Sequence, residues 1–176
     1  RRSGAALYGG DHHFMKGEGI TVTHADTAAD MEHVRTLFVE YQQWLDVDLC
    51  FQGFDEELLS LPGAYAPPRG RLLLAREGAA VAGTVGMWPL AADLCEMKRL
   101  FVRPPWRGCG LGRRLAGAIV DEAKAVGYAH MRLDSLERLV AARTLYESLG
   151  FARIPAYYDN PLDDVLFMQL DLPSAV

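Results

Sequence analysis

The sequence predicts an α/β fold: one domain in which a mixed, mostly antiparallel central sheet is flanked by about four helices. Three observations give that reading. Apolar residues recur at helical spacing in some stretches and as short strand-like runs in others. Three such runs follow one another between residues 71 and 102 with only short turns between them, which is an antiparallel meander. Strand and helix then alternate to the end of the chain, as a crossover connection requires. With 176 residues, 50% of them hydrophobic, there is material for one sizeable core.

In chain order, Ile20 to Thr23 alternates as a short strand. Thr27-Ala28-Ala29-Asp30 has the form of a capping box, a hydroxyl and a carboxylate three positions apart. Met31, Val34, Phe38, Tyr41 and Leu45 then share one helical face, with Glu32, Arg35, Glu40 and Gln42 opposite, so this helix packs on a sheet. Phe54 to Leu61 is a second short helix ended by Pro62-Gly63, and Tyr65 to Gly70 is a stiff connector. Arg71 to Arg76, Ala80 to Trp88 and Leu94 to Val102 are the meander strands, with turns at Glu77-Gly78 and from Pro89 to Asp93. A helix from Leu111 to Val126 places Leu115, Ile119 and Val126 on one face and ends at Gly127. Ala129 to Asp134 is a strand, Arg138 to Leu149 a helix that Gly150 terminates, and Val165 to Leu172 the last strand.

The balance of 18 basic against 23 acidic side chains, a formal charge of −5, argues against a nucleic-acid partner. No apolar run approaches the roughly 18 residues that cross a bilayer, so no membrane role is expected. Cys50, Cys95 and Cys109 are an odd, sparse set without paired spacing, which predicts a reducing, cytoplasmic setting rather than a disulfide framework. His12-His13 has no further ligand at metal spacing, and no metal is expected. Residues 1–14 are Gly-rich and unpatterned and read as a disordered arm or as residues left from cloning. Met15 is a candidate natural start, with the domain over residues 15–176.

Against this acidic background lies one basic island. From Glu96 to Arg114 the chain carries Lys98, Arg99, Arg103, Arg107, Arg113 and Arg114, and Glu96 is the only acid. Within it Arg107-Gly108-Cys109-Gly110-Leu111-Gly112 joins the third meander strand to the next helix. Three glycines in five positions let backbone approach a ligand closely. The helix start adds N–H donors and the positive end of its dipole. Such a turn suits a phosphate or pyrophosphate; its bland alternative is a glycine turn among solvated arginines. A Walker loop is excluded because the segment ends Leu111-Gly112-Arg113-Arg114, and the spacing of the dinucleotide fingerprint is missing.

The loop does have the form R/Q-x-x-G-x-G/A, and here the sequence resembles the GNAT (Gcn5-related) acetyltransferase superfamily. Lys98 to Arg107 is similar to that family's strand and loop, and Ala141-Ala142-Arg143-Thr144-Leu145-Tyr146-Glu147-Ser148-Leu149-Gly150-Phe151 to its A-x-x-L-Y-x-x-x-G-F helix end. The resemblance runs from about Ile20 to Leu172. It implies that the strands Leu94 to Val102 and Ala129 to Asp134 splay apart to leave a slot for the pantetheine arm of acetyl-coenzyme A, the co-substrate. It also implies that Arg107, Gly108, Cys109, Gly110, Leu111 and Gly112 bind pyrophosphate, that Arg113 or Arg143 reaches other phosphates, and that Leu100, Phe101 and Val102 line the arm. The Leu100 N–H would polarise the thioester carbonyl and Val102 would hold the pantetheine amides. One departure is Leu139, where many relatives place Asn.

The implied chemistry is attack of an amine on a thioester. An amine of pKa about 10.4 is neutral only about once in 2,500 molecules at pH 7, which costs about 4.6 kcal/mol before attack, so a base has work to do. Glu96, eleven positions before Arg107, matches the offset of the catalytic glutamate in histone-acetylating relatives. A salt bridge to Lys98 or Arg99, and a water relay on backbone carbonyls, are the alternatives. Tyr146, at the Leu-Tyr position, is the expected acid for the leaving thiolate, or else a core tyrosine. Phe51, Tyr157 and Tyr158 are candidate acceptor-pocket residues, and the acids Asp46, Asp48, Asp55, Glu56 and Glu57 either favour a cationic amine or form a solvated face. Cys109, at a helix start, is a thiol that alkylation should reach and coenzyme A should protect. The expected function is acetyl transfer to an amine, of a small molecule in the first place and of a protein as the alternative, by direct attack in a ternary complex. The alternative is a catalytically weak acyl-CoA binding or sensing module. Oligomeric state is left open, a homodimer being plausible.

Overall fold

A computed structural model of the chain describes residues 17–173. The arm expected over residues 1–14, His12-His13 and Met15 lie outside them. The elements are β1 (Ile20–His24), α1 (Ala28–Leu45), α2 (Phe54–Ser60), β2 (Arg71–Glu77), β3 (Ala80–Pro89), β4 (Leu94–Val102), α3 (Leu111–Val126), β5 (His130–Leu136), α4 (Val140–Ser148), β6 (Ala152–Ile154) and β7 (Val165–Asp171). They build one seven-stranded sheet in the order β1-β2-β3-β4-β5-β7-β6. All neighbours pair antiparallel except β4 and β5, which run parallel.

Both faces of the sheet are covered, and period-2 alternation sorts the strand residues between two cores. In β2, Leu73 and Ala75 join Leu111, Leu115 and Ile119 of α3, while Leu72 and Leu74 join Val34, Leu37 and Phe38 of α1. Burial on two sides explains why β2 and β3 are continuous apolar runs rather than alternating ones. The capping box of α1 forms: Asp30 N–H donates to Thr27 Oγ1 at 3.1 Å, and Thr27 N–H donates to Asp30 Oδ2 at 3.0 Å. The Asp30 carboxylate also accepts from Arg76 of β2, so the cap ties the helix to the sheet. The Thr27 backbone bond foremost lowers its pKa to about 2.

Two boundaries shift by two residues and one strand is new relative to the sequence expectation; the other boundaries hold to within one residue. β5 runs on to Leu136 because β7 pairs with it as far as Leu136 and Val165. α4 starts only at Val140: Leu139 caps it with a non-helical ψ of 67°, and Arg138 instead reaches Asp164 and the Leu45 carbonyl, both at 2.9 Å. β6 was not expected; its three residues pair with β7 at the sheet edge. Among the described residues no helix is long and apolar enough to cross a membrane.

Candidate active site

β4 and β5 share only three register pairs, Leu94 with His130, Cys95 with Met131 and Glu96 with Arg132. Past Glu96 the two strands part. The cause lies in β4, where Arg99 has a left-handed backbone, φ 59°, and Arg99 and Leu100 together stand opposite Val85 of β3. A bulge of this kind bends its strand and raises the local twist. The conformation costs a non-glycine residue about 1–2 kcal/mol, so something must hold it. The Arg99 side chain does. Its Nε and Nη2 donate to the Glu57 carboxylate of α2 at 3.2 and 2.7 Å, and Nη1 donates to Gln52 Oε1 at 2.9 Å. Tyr65 donates to the same carboxylate at 2.5 Å. Glu57 therefore does not belong with the solvated acids: it shares the inward face of α2 with Phe54, one turn earlier, and is only 8% exposed.

Where the strands part there is a cavity of about 200 Å³. Met97 to Val102 of β4 and Leu133 to Ser135 of the facing β5 wall it, with Ala141, Ala142, Leu145 and Tyr146 of α4 and Tyr41 and Trp44 of α1. A smaller cavity of about 40 Å³ continues from it. Tyr41, Met97, Lys98, Arg99, Asp134, Ser135 and Leu139 line both, and Leu45, Leu49, Phe51, Gln52, Leu136, Asn160 and Leu162 complete the smaller one.

Arg107 and Gly112 also line the larger cavity, which places the glycine loop beside it. Gly108 and Gly110 have φ of 79° and 81°, values open to glycine at no steric cost. Gly110 caps α3, and Arg114 N–H makes the bond to its carbonyl, at 3.1 Å. The amides of Leu111, Gly112 and Arg113 precede that bond and point out of the helix start. The Arg107 guanidinium donates to the Val102 carbonyl at 2.9 Å and lies over the Trp44 and Phe101 rings, 4.8 and 5.6 Å from their centroids.

Of the residues singled out in the sequence, Leu100, Phe101, Val102, Arg107, Gly112 and Tyr146 converge on the larger cavity. Gly108, Cys109, Gly110, Leu111 and Arg113 occupy the adjoining loop and first helical turn, where Cys109 donates to the Trp106 carbonyl at 3.0 Å and Arg113 to Ser148 at 2.7 Å. Arg143 lines neither cavity; it donates to Glu137 at 3.0 Å. Phe51 lines the smaller cavity, whereas Tyr157 and Tyr158 line neither. Tyr158 accepts instead from Gln52 and Asn160, at 3.0 and 2.7 Å.

Glu96 is buried at 4% exposure and lines neither cavity. Tyr157 and Trp88 donate to its carboxylate at 2.5 and 3.0 Å, and the Lys98 ammonium lies 3.3 Å away. Of its two candidate salt bridges the one to Lys98 forms, while Arg99 goes to Glu57. Tyr146 is buried, its ring edge-on to Phe151. Burial first, then Tyr41 and Asp134, push its pKa up; burial raises Tyr41 to about 12. Both hydroxyls keep their protons at neutral pH. Sequence reasoning missed Asp134, Tyr41 and Trp44 as site residues. Tyr41 lay within an apolar helical stripe and Asp134 at an expected strand end, and neither position marks a ligand by spacing.

An open mixed sheet whose parallel central pair diverges at a bulge, beside a glycine-opened helix start, defines a class of α/β proteins with a cavity between parted central strands. The sequence profile of the acetyltransferase (GNAT) family matches residues 31–151, and the chain belongs to this family. An uncharacterized N-acetyltransferase of Schizosaccharomyces pombe is 38% identical over 90% of this chain and 98% of its own length. The same fold occurs in an acetyltransferase of Streptococcus agalactiae, with a TM-score of 0.73 at 20% identity over 88% of this chain and 99% of that one. It occurs also in YncA of Salmonella typhimurium, solved with acetyl-CoA, with a TM-score of 0.63 at 24% identity over 89% and 96%.

Proposed function

We propose that this protein transfers an acetyl group from acetyl-coenzyme A to an amine by direct attack within a ternary complex. The cavity between the parted strands, with the open helix start at its side, carries the reading. The acetyl-CoA held by YncA, which shares the fold, supports it. In this reading the pyrophosphate lies on the amides that open α3, the dipole end favouring its charge, and Arg107 lies alongside. Arg113 exchanges Ser148 for a phosphate oxygen; Arg143 has first to leave Glu137. The pantetheine arm lies along β4 at Leu100, Phe101 and Val102, and the Leu100 N–H donates to the thioester carbonyl as negative charge develops there.

Tyr146 meets the departing sulfur. Its raised pKa keeps the O–H in place, so it serves the thiolate as a standing donor. Direct attack fits Cys50 and Cys95 too. Hydrogen bonding to Asp48 raises the Cys50 thiol to about 11, and burial raises Cys95 to about 12, so neither is a ready acyl carrier.

Calorimetry with coenzyme A, and thiol release from acetyl-CoA over a panel of amines, test the reading. Tyr146→Phe should lower kcat by about 10²-fold with coenzyme A affinity retained. Failure to bind coenzyme A ends the proposal. Binding without thiol release on any amine leaves the binding or sensing module in its place.

A further inference from the structure

We infer that a third cavity, at the opposite end of α1 from the parted strands, is a regulatory site for a free apolar α-amino acid, and that its occupant tightens coenzyme A binding. The coupling rests on the acetyl-transfer reading above; the site itself does not. The cavity has a volume of about 480 Å³, larger than either of the other two, and shares no lining residue with them. Small-molecule sites usually span about 300–1,000 Å³.

Its lining gives the chemistry of the occupant. Met31 of α1, Pro62 and Pro67 between α2 and β2, and Leu72 of β2 form an apolar bed. Beside it stand charges of both signs, Arg71 and Asp26, and Asp26 is the only acid in the lining among the described residues. Arg71 donates through Nε to Glu122 at 2.8 Å, and through Nη1 to the Pro68 and Gly70 carbonyls at 3.0 and 2.7 Å. Those bonds fix the guanidinium, and its other terminal nitrogen, Nη2, suits a carboxylate. His24, also in the lining, lies 2.6 Å from the second Glu122 oxygen, so Glu122 is already shared by two basic groups. The exposed Asp26 carboxylate suits an ammonium. A small body that carries both charges and an apolar side chain is a zwitterionic amino acid.

Tyr65 carries the coupling. It lines this cavity, and its ring is clamped by three neighbours. Phe38 meets it edge-on with centroids 5.8 Å apart, Trp88 stacks on it at 5.1 Å, and a Cβ at Gly86 would come within 2.6 Å of a ring carbon. The Tyr65 hydroxyl donates to Glu57, the holder of Arg99 at the bulge. Trp88 donates to Glu96, the last residue of β4 to pair with β5. One ring therefore bears on both ends of the segment where the strands part. An occupant packed against Tyr65 from the cavity keeps the hydroxyl on Glu57, and so favours the bulged conformation that opens the co-substrate slot. A ligand that prefers one conformation shifts the population toward it, and the resulting coupling is reciprocal.

The test is calorimetry on the whole chain with L-leucine and L-phenylalanine, and with 4-methylpentanoate and isopentylamine, which carry one charge each. Every compound is measured alone and then with coenzyme A, so that no acetyl group can be transferred. At least one amino acid should bind, and both single-charge analogues should bind about tenfold more weakly or worse. The bound amino acid should tighten coenzyme A by about fivefold or more. Asp26→Asn should weaken the amino acid by about tenfold and leave the affinity for coenzyme A alone unchanged, and Met31→Trp, which fills the bed, should abolish amino-acid binding. Tyr65→Phe keeps the ring and loses the bond to Glu57, so the amino acid should still bind while its effect on coenzyme A falls below about twofold. Heat from neither amino acid, or equal binding of a single-charge analogue, overturns the site. Amino-acid binding that persists undiminished in Met31→Trp and Asp26→Asn puts the ligand elsewhere, the acceptor cavity included, and overturns it too. A bound amino acid that leaves coenzyme A affinity unchanged, or a coupling that survives in Tyr65→Phe, overturns the route through Glu57 while acetyl transfer stands. Coenzyme A that fails to bind at all overturns acetyl transfer and the coupling together, and the amino-acid heats then decide the site alone.

Discussion

Glu57→Ala should be among the most damaging single substitutions in the protein, although Glu57 touches neither cavity. It strips the bidentate partner from Arg99, which is 6% exposed, and the acceptor from the Tyr65 hydroxyl. Breaking a buried ion pair by removing one partner costs about 3–5 kcal/mol, because the remaining charge has no compensation. Whole domains hold only about 5–15 kcal/mol, so the loss is a large share of the total. For a chain of this length about 2–4 °C accompanies each kcal/mol, which gives a fall in Tm of about 6–20 °C. Urea unfolding and calorimetry measure it directly. Arg99→Ala alone leaves Glu57 with its Tyr65 donor, and the double variant should lose less than the sum of the two. Coenzyme A affinity should fall as well, since the bulge that shapes the cavity loses its anchor. A loss in Glu57→Ala below about 1 kcal/mol, the level of an exposed pair, would refute the claim that this ion pair holds the bulge.

Gly110→Ala should weaken coenzyme A binding and cost about 1–2 kcal/mol from backbone strain alone, because φ is 81° and nothing lies within 4 Å of the added methyl. Gly83→Ala fails for the opposite reason: its Cβ would come within 2.6 Å of the Phe101 carbonyl oxygen, so β3 and β4 must shift, at about 1–3 kcal/mol by urea unfolding. Asp30 supplies a pH signature. Its folded pKa of about 2 lies below the ordinary 3.8, so its contribution is present above pH 4 and is lost as pH falls toward 2. The stability of wild type over Asp30→Asn should shrink across that window and stay constant above it.

Local signals in the chain are reliable here and long-range ones are silent. The α1 cap was legible because Thr27 and Asp30 are three residues apart, and α3 because its stripe and glycine boundaries are contiguous. The glycine loop showed itself by spacing, and Tyr146 by its place in the Leu-Tyr pattern. The Arg99–Glu57 pair joins residues 42 apart, and Tyr157 reaches Glu96 across 61 positions, so neither leaves a periodic trace. Asp134 is the sharpest case. A single acid at the end of an apolar strand takes its meaning from where the neighbouring strand stops pairing with it, which depends on a bulge on the other side of the opening. Arg143 illustrates the converse, since a matching position in a motif did not fix where a long side chain goes once Glu137 was within reach.

The bulge and the cavity are one event seen from two sides. Beyond Glu96, β4 pairs only with β3, and beyond Arg132, β5 pairs only with β7. Each strand therefore turns one row of peptide groups toward the opening, and buried backbone groups need partners. A ligand entering there gains by offering amides at strand-like spacing, as an extended pantetheine arm does, so in the acetyl-transfer reading the co-substrate takes the place of a missing strand. That reasoning also limits what can sit beyond it. At the closed end of the opening the pairing resumes and backbone demand is met, so what the smaller cavity presents beyond it is side chains, Phe51, Gln52, Asn160 and Leu162 among them. In the acetyl-transfer reading the donor is thus held by main chain and the acceptor by side chain, and substitutions at Phe51, Gln52, Asn160 and Leu162, which line the smaller cavity alone, should change the amine without disturbing the coenzyme.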